Sequence, residues 1–267
     1  MVSGGILKAV GVIGAGKIGG SLLVRLADTG DYELSVSDVH EDQLRPYSEN
    51  YGVHTTSSNQ ELAERSDLVI VAVKPWDVGW VLEEIGPALK ENKAVASVAA
   101  GVTIDAMQEK VPDGTPVLRV MPNVCASVGL GSAVITSNEA GRETVPMVME
   151  IFRHVGDAME LPERLFDAAT ALHGSGPAYV ALFADALIQA GVREGIPRDI
   201  ARRLVIGTIE GTAVLLKDRS AHQVRDEVMT PGGTTAAAFV AMEKSGFVGA
   251  VYDGVNAATE QSRGLGK

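Results

Sequence analysis

Cysteine is almost absent: Cys125 is the only one in 267 residues. No internal disulfide framework can form, and a reducing, cytoplasmic setting is expected. Positive charge is also short, with 23 Lys and Arg against 34 Asp and Glu and a formal net charge of -11. No basic stripe is available for a phosphate backbone, so nucleic acid is not an expected partner and a small molecule is. Aromatic residues make up only 4%, which disfavours a stacking groove for bases or sugars. Met1 to Gly11 has one lysine and no apolar run long enough for a signal core or a membrane span. His-Glu-x-x-His, paired CxxC and GxSxG are all missing, so neither metal-dependent nor serine hydrolase chemistry finds support, and no metal is expected.

What is present is a chain with 46% hydrophobic and 21% charged residues, enough for an ordered core and long enough for two domains. From Lys8 to about Glu160, short β-branched runs alternate with amphipathic stretches, the pattern of βαβ units around a mainly parallel, doubly wound sheet. Strands are expected at Ala9 to Ile13, Glu33 to Ser37, Asp67 to Val73, Ala94 to Val98, Pro116 to Val120, Gly131 to Thr136 and Val155 to Met159. Helices such as Lys17 to Ala27 and Gly141 to Arg153 lie between them. After Leu161-Pro162 strand signals stop. The expected organisation is therefore an α/β Rossmann domain over residues 1–161 followed by an all-α domain over 162–267. From Pro177 to Glu194 polar residues are few, and one small domain has too few layers to cover that much apolar surface. Dimerisation through the helical half is the expected solution.

The first strand runs straight into Gly14-Ala15-Gly16-Lys17-Ile18-Gly19 at the start of a helix. In that context glycines let the backbone turn tightly and approach a pyrophosphate, whose charge meets unpaired amides at the helix N-terminus. Asp38 closes the second strand about twenty residues on, where a carboxylate accepts from ribose hydroxyls. That favours NAD. Ser35, Ser37 and His40 are placed to donate to a ribose phosphate instead, and Asp38 also suits a cap for the helix starting near Glu41. NAD and NADP both remain open. Ser58-Asn59-Gln60-Glu61 has capping-box spacing, with Glu61 expected to reach back to the Ser58 amide. Ala72-Val73-Lys74-Pro75 and Ala99-Ala100-Gly101 end strands at the carboxyl edge of the sheet, the edge that binds ligands in open α/β folds. Arg119-Val120-Met121-Pro122-Asn123 reads as strand-end punctuation. In the helical half, His173-Gly174-Ser175-Gly176-Pro177-Ala178-Tyr179 and Thr230-Pro231-Gly232-Gly233-Thr234-Thr235 each open a helix. The second exposes amides and hydroxyls suited to a small carboxylate.

Taken together, Ile13 to Gly19, Ala72 to Pro75, Ala99 to Val102, Met121 to Asn123, Gly174 to Tyr179 and Thr230 to Thr235 give the chain a resemblance to the pyrroline-5-carboxylate reductase family over nearly its whole length. The resemblance implies NAD(P)H-dependent reduction of a cyclic imine, 1-pyrroline-5-carboxylate, to L-proline, the last step of proline biosynthesis. It implies cofactor contacts from Ile13, Gly14, Ala15, Gly16, Lys17, Ile18, Asn59, Ala72, Val73, Lys74, Pro75, Val98, Ala99 and Ala100, beside Ser37 and Asp38, which the residues themselves point to. Substrate contacts are implied for Ser175, Thr230, Gly233, Thr234 and Thr235. Thr235 would hydrogen-bond the ring nitrogen as the catalytic residue, and Thr234 would offer its amide to the carboxylate. A homodimer, assembled further in many members, is implied as well. Two positions depart from the family pattern: His173 where serine is usual, expected to be a hydrogen-bonded structural histidine, and Cys125 where proline is usual. A hydroxy-acid dehydrogenase of the 6-phosphogluconate dehydrogenase type shares the domain plan but needs a lysine on an interdomain helix, and Ala178 to Val192 has none. A dinucleotide sensor without turnover is the other alternative, and the intact Pro-Gly-Gly-Thr-Thr turn speaks against it.

Overall fold

The computed structural model describes residues 9–90 and 92–265. The expected strands at Ala9 and Glu33 appear as β1 (Ala9–Ile13) and β2 (Glu33–Ser37), followed by β3 (His54–Thr56), β4 (Leu68–Val71), β5 (Ala94–Ser97), β6 (Val117–Pro122), β7 (Gly131–Ser137) and β8 (Gly156–Glu160). They form one sheet in the order β3-β2-β1-β4-β5-β6-β7-β8. All neighbours are parallel except β6 and β7, which run antiparallel. The order reverses between β1 and β4. At such a switch point two crossovers leave in opposite directions and open a crevice outside the strand ends.

Around the sheet run α1 (Lys17–Thr29), α2 (Glu41–Tyr51), α3 (Asn59–Arg65), α4 (Pro75–Ile85), α5 (Ile104–Gln108) and α6 (Val145–Arg153). Central strands are covered on both faces, which is why they read as unbroken apolar runs. The period of two divides them cleanly. Leu68 and Ile70 of β4 join Leu22, Leu23 and Leu26 of α1 and Phe152 of α6 in one core, while Val69 and Val71 join Val78, Leu82 and Ile85 of α4 in the other. Helix α1 ends where Gly30 turns left-handed at φ 71°, a stop that glycine makes without penalty.

Several boundaries differ from expectation. Strand β3 was not foreseen: it is three polar residues long and exists through its pairing with β2. The helix expected from Gly141 starts as a 3₁₀ turn at Arg142–Thr144, and the α-helix begins at Val145 with Pro146 in its first turn. Lys8, where strand patterning was expected to begin, lies outside the described residues.

Past β8 the chain is helical: α7 (Phe166–Ala169), a π turn at Thr170–Gly174, then α8 (Gly176–Arg193), α9 (Arg198–Leu215), α10 (Ala221–Val228), α11 (Thr234–Lys244) and α12 (Phe247–Leu265). The change from strand to helix at 161/162 is not where the compact units divide. One unit runs to Ser175 and includes the chain from Ala258 on; the other is Gly176–Ala257. The physical reason is that α7 and the tail of α12 pack with the sheet unit: Phe166 is fully buried, and Ser262 Oγ donates to Asp167 Oδ1 at 2.8 Å.

Within the second unit, α8 and α9 meet through small residues. A Cβ on Gly191 would stand 3.3 Å from the Ala201 Cβ. Only Ala184, Ala201 and Val224 of residues 176–257 are buried.

Candidate active site

The glycine turn leaves β1 at the switch point, and two of its glycines, Gly14 and Gly19, have a steric reason. Gly14 has φ 102°, and a Cβ there would lie 2.7 Å from the Ala72 carbonyl oxygen. At Gly19 a Cβ would strike the Gly14 carbonyl at 2.1 Å, so only glycine lets α1 sit this close to the turn. A Cβ on Gly16 would meet nothing within 4 Å; that side of the turn is open. Gly16 is the N-cap of α1, and no side chain caps the helix. Unclaimed amides, positive helix end and open space together fit a pyrophosphate. Beside the turn a cavity of about 630 Å³ is lined by residues that include Lys17, Arg25, Gln43 and Tyr47.

Residues far apart in sequence fix the turn from behind. Gly14 N donates to the Ser37 carbonyl and Ala72 N to the Ile13 carbonyl, both at 2.8 Å. Ala15 N donates to Asp38 Oδ2 at 2.8 Å, and His40 N donates to Asp38 Oδ1 at 2.9 Å. Asp38 therefore braces the turn and is not the N-cap of α2, a position held by His40 without a side-chain cap. Ser37 is 1% exposed, and its hydroxyl donates to Asn59 Oδ1 at 2.7 Å. It does not present that hydroxyl at the surface, contrary to the expectation that it could donate to a ribose phosphate. Asn59 Nδ2 in turn donates to Glu84 Oε2 at 2.7 Å.

The Ser58 box is half formed. Glu61 N donates to Ser58 Oγ at 3.1 Å, but the Glu61 carboxylate turns to His54 and Thr56 rather than back to the Ser58 amide. Those hydrogen bonds, Thr56 first, hold the Glu61 carboxyl below its ordinary range.

The remaining sheet residues gather at the same edge. Ala72, Val73, exposed Lys74 and Pro75 lead from β4 into α4, and Val98, buried Ala99 and Ala100 follow β5. Ile13 ends β1, Gly14, Ala15 and Gly16 follow it, Lys17 and Ile18 open α1, and Asp38 follows β2.

The Arg119 to Asn123 cluster is more than punctuation. The Arg119 guanidinium, with a side chain only 6% exposed, pairs with Glu163 Oε1 at 3.0 Å and lies 4.8 Å from the centre of the Phe166 ring. Glu163 Oε1 also accepts the Ile104 amide at 2.8 Å. Asn123 Nδ2 donates to the His173 carbonyl at 3.0 Å. His173 itself is structural, as expected. Its Nδ1 lies 2.6 Å from the Ala169 carbonyl and its Nε2 2.8 Å from the Met121 carbonyl. Apart from the contact of His173 with Ala169, four residues back, these hydrogen bonds join residues 44 to 59 positions apart, and no local spacing announces them.

Ser175 ends the π turn, its amide donating to the Thr170 carbonyl at 3.0 Å. In the helical unit the turn of residues 230–235 is a built helix entrance. Gly232 has φ 68°, Gly233 N donates to the Thr230 carbonyl at 3.0 Å, and a Cβ on Gly233 would strike Thr230 Oγ1 at 2.3 Å. Gly233 is the N-cap of α11 with no side-chain cap, and Thr234 and Thr235 form its first turn. The amides at that entrance are thus available to an anion.

A doubly wound, mainly parallel sheet with a braced glycine turn at its switch point, followed by a helical unit, defines the class of two-domain dinucleotide-dependent oxidoreductases. Comparison with known proteins narrows it. Residues 163–265 match the model for pyrroline-5-carboxylate reductase dimerisation, and residues 9–101 match that for NADP oxidoreductase, coenzyme F420-dependent. The chain is 37% identical to pyrroline-5-carboxylate reductase of Corynebacterium melassecola, covering 98% of this chain and 100% of that one. Among solved structures, a pyrroline-5-carboxylate reductase from Coxiella burnetii is 31% identical with a TM-score of 0.92, covering 97% of this chain and 98% of that one. The Plasmodium falciparum pyrroline carboxylate reductase, solved with NADP bound, is 33% identical with a TM-score of 0.84, covering 98% of each chain. The chain belongs to the pyrroline-5-carboxylate reductase family.

Proposed function

We propose that this protein reduces 1-pyrroline-5-carboxylate to L-proline with NADH or NADPH, the last step of proline biosynthesis. The observation that carries the reading is that the likeness to the reductases extends over both the sheet unit and the helical unit. The nicotinamide supplies a hydride, and the imine carbon of the substrate takes it. What the chain contributes is position. The turn of Ile13 to Ile18, braced by Asp38 and the Ser37 carbonyl, holds the pyrophosphate, and Ala72 to Pro75 with Val98 to Ala100 form the floor along the sheet edge. Asn59 acts through Ser37, keeping the end of β2 in place.

The entrance of α11 binds the substrate carboxylate through the amides of Gly233 and Thr234, with Thr230 as a further polar contact. Thr235 orients the ring nitrogen, whose protonation makes the imine carbon more electrophilic. Fixing two reactants in this way supplies most of what such a reaction needs, because no covalent step intervenes.

The working form is a homodimer, in some conditions assembled further. The match of the helical half to a dimerisation model supports this, as do its exposed Leu182, Leu204, Val214 and Val251. The lone Cys125, free of any disulfide, supports a cytoplasmic site of action. Among the described residues no helix is long and apolar enough to cross a membrane.

Purified protein mixed with pyrroline-5-carboxylate and either reduced dinucleotide tests the activity. Oxidation of the nicotinamide with formation of proline is expected; no oxidation with either cofactor would sink the reading.

A further inference from the structure

We infer that the segment from Ser35 to Asp42 selects a dinucleotide whose adenosine ribose carries no 2′-phosphate, so that NADH is bound and used in preference to NADPH. The inference rests on the dinucleotide site proposed above and concerns its discrimination.

Three of the groups that matter had opposite implications in sequence, and their placement separates them. A ribose phosphate needs donors or cations. Ser35 is 7% exposed and Ser37 is 1% exposed with its hydroxyl donated to Asn59, so neither serine offers a hydroxyl to the site. Asp38, in contrast, is held at the end of β2 with its two oxygens accepting the Ala15 and His40 amides. A carboxylate has about four acceptor positions and no donor. Two are taken, and the rest suit the two hydroxyls of an unmodified ribose.

A phosphate at the same place brings about -1.5 to -2 charges against the carboxylate. It also meets Glu41 and Asp42, both exposed in the first turn of α2, and Val39, which is 85% exposed and has no side-chain donor. Only His40 in this segment is capable of positive charge. The cations that line the neighbouring cavity, Lys17 and Arg25, belong to α1 rather than to the end of β2. Two amides holding Asp38 also mean that its carboxylate cannot swing aside without releasing the glycine turn, which makes the discrimination a property of the fold rather than of one rotamer.

The test is direct titration of the full-length protein with NADH and with NADPH, followed by nicotinamide fluorescence in the absence of imine, alongside kcat/KM for each in its presence. The expected result is a preference for NADH of roughly tenfold or more in both measurements, the size that like-charge juxtaposition produces. Asp38→Asn keeps an acceptor for the Ala15 amide and removes the charge; it is expected to shrink the ratio about tenfold, mainly by tightening NADPH. The double variant Glu41→Gln, Asp42→Asn leaves the turn untouched and is expected to shrink it by about threefold, through screened surface charge. Equal or tighter binding of NADPH by the native protein overturns the inference, as does an unchanged ratio in both variants. Because the titration contains no imine, a protein that prefers NADH yet fails to reduce pyrroline-5-carboxylate would refute the proposed reaction and leave this inference standing.

Discussion

The sheet unit and the helical unit are both rich in apolar residues and use them in opposite ways. In the first, Val10, Val12, Leu23, Leu26, Leu62 and the whole of β4 are 0% exposed, and two cores fill both faces of the sheet. In the second, only two alanines and a valine are buried, while Leu182 is 71% exposed, Val214 63% and Tyr252 71%. A domain that had to stand alone would not leave such surfaces open. One unit has its core within the chain; the other leaves its apolar faces open and lies in the stretch that matches a dimerisation model. The difference separates what each can be asked to do. A sheet with its own core can hold a dinucleotide at its edge, whereas the helical unit leaves apolar surface for a partner to cover.

The largest effect is expected from attacking the association. Leu204→Asp places a charge on a 57% exposed apolar site of α9, within the stretch that matches the dimerisation model. Sedimentation velocity is expected to show monomer, with catalytic activity lost by more than about a hundredfold, since a buried unpaired charge costs several kcal/mol. A dimer unaffected by this change would mean that the exposed leucines are not what the second copy covers.

A smaller effect is expected from the sheet unit, with the opposite signature. Glu163→Ala leaves the Arg119 guanidinium buried without its partner and the Ile104 amide without its acceptor. Thermal unfolding should reveal a loss of about 2 kcal/mol, below the full cost of breaking a buried pair because Glu163 is 32% exposed. Oligomeric state should not change. Gly19→Ala is expected to weaken dinucleotide binding by roughly tenfold or more, since its Cβ meets the Gly14 carbonyl at 2.1 Å and must push the turn away.

The smallest effect concerns Tyr47. Burial raises its phenol above the ordinary value, with the Asp38 charge and then Tyr51 adding to the rise. The folded phenol thus holds its proton longer than the unfolded one. Any stability it contributes is present below the unfolded value and is lost as pH rises through the folded one. Ultraviolet titration should find Tyr47 ionising late, and less so in Asp38→Asn, yet still above the ordinary value because burial is the larger cause.

Much of this was legible in the sequence, for a definite reason. Strands β1 and β2 begin and end where β-branched runs do, and Gly14 to Gly19 follows β1 as read, because strand period and glycine turn are local signals. The surplus of apolar surface on α8 was equally readable from the scarcity of polar residues between Pro177 and Glu194. What escaped has long-range causes. Strand β3 has no apolar pattern of its own and is defined by β2 beside it. Asp38 and Ala15 stand 23 residues apart, and Arg119 and Glu163 stand 44 apart. The boundary at Ser175 depends on α7 and the end of α12 packing with the sheet unit, which strand signals cannot report. In the candidate site, residue types were readable and their engagements were not: Ser37 looked like a donor to cofactor and is spent on Asn59.

The most direct test of the proposed chemistry is to supply reduced dinucleotide deuterated at nicotinamide C4 on the transferred face and to analyse the product by mass spectrometry and NMR. Hydride transfer to the imine predicts L-proline carrying one deuterium on the former imine carbon. Proline without that deuterium, or dinucleotide oxidised with no proline formed, would contradict it.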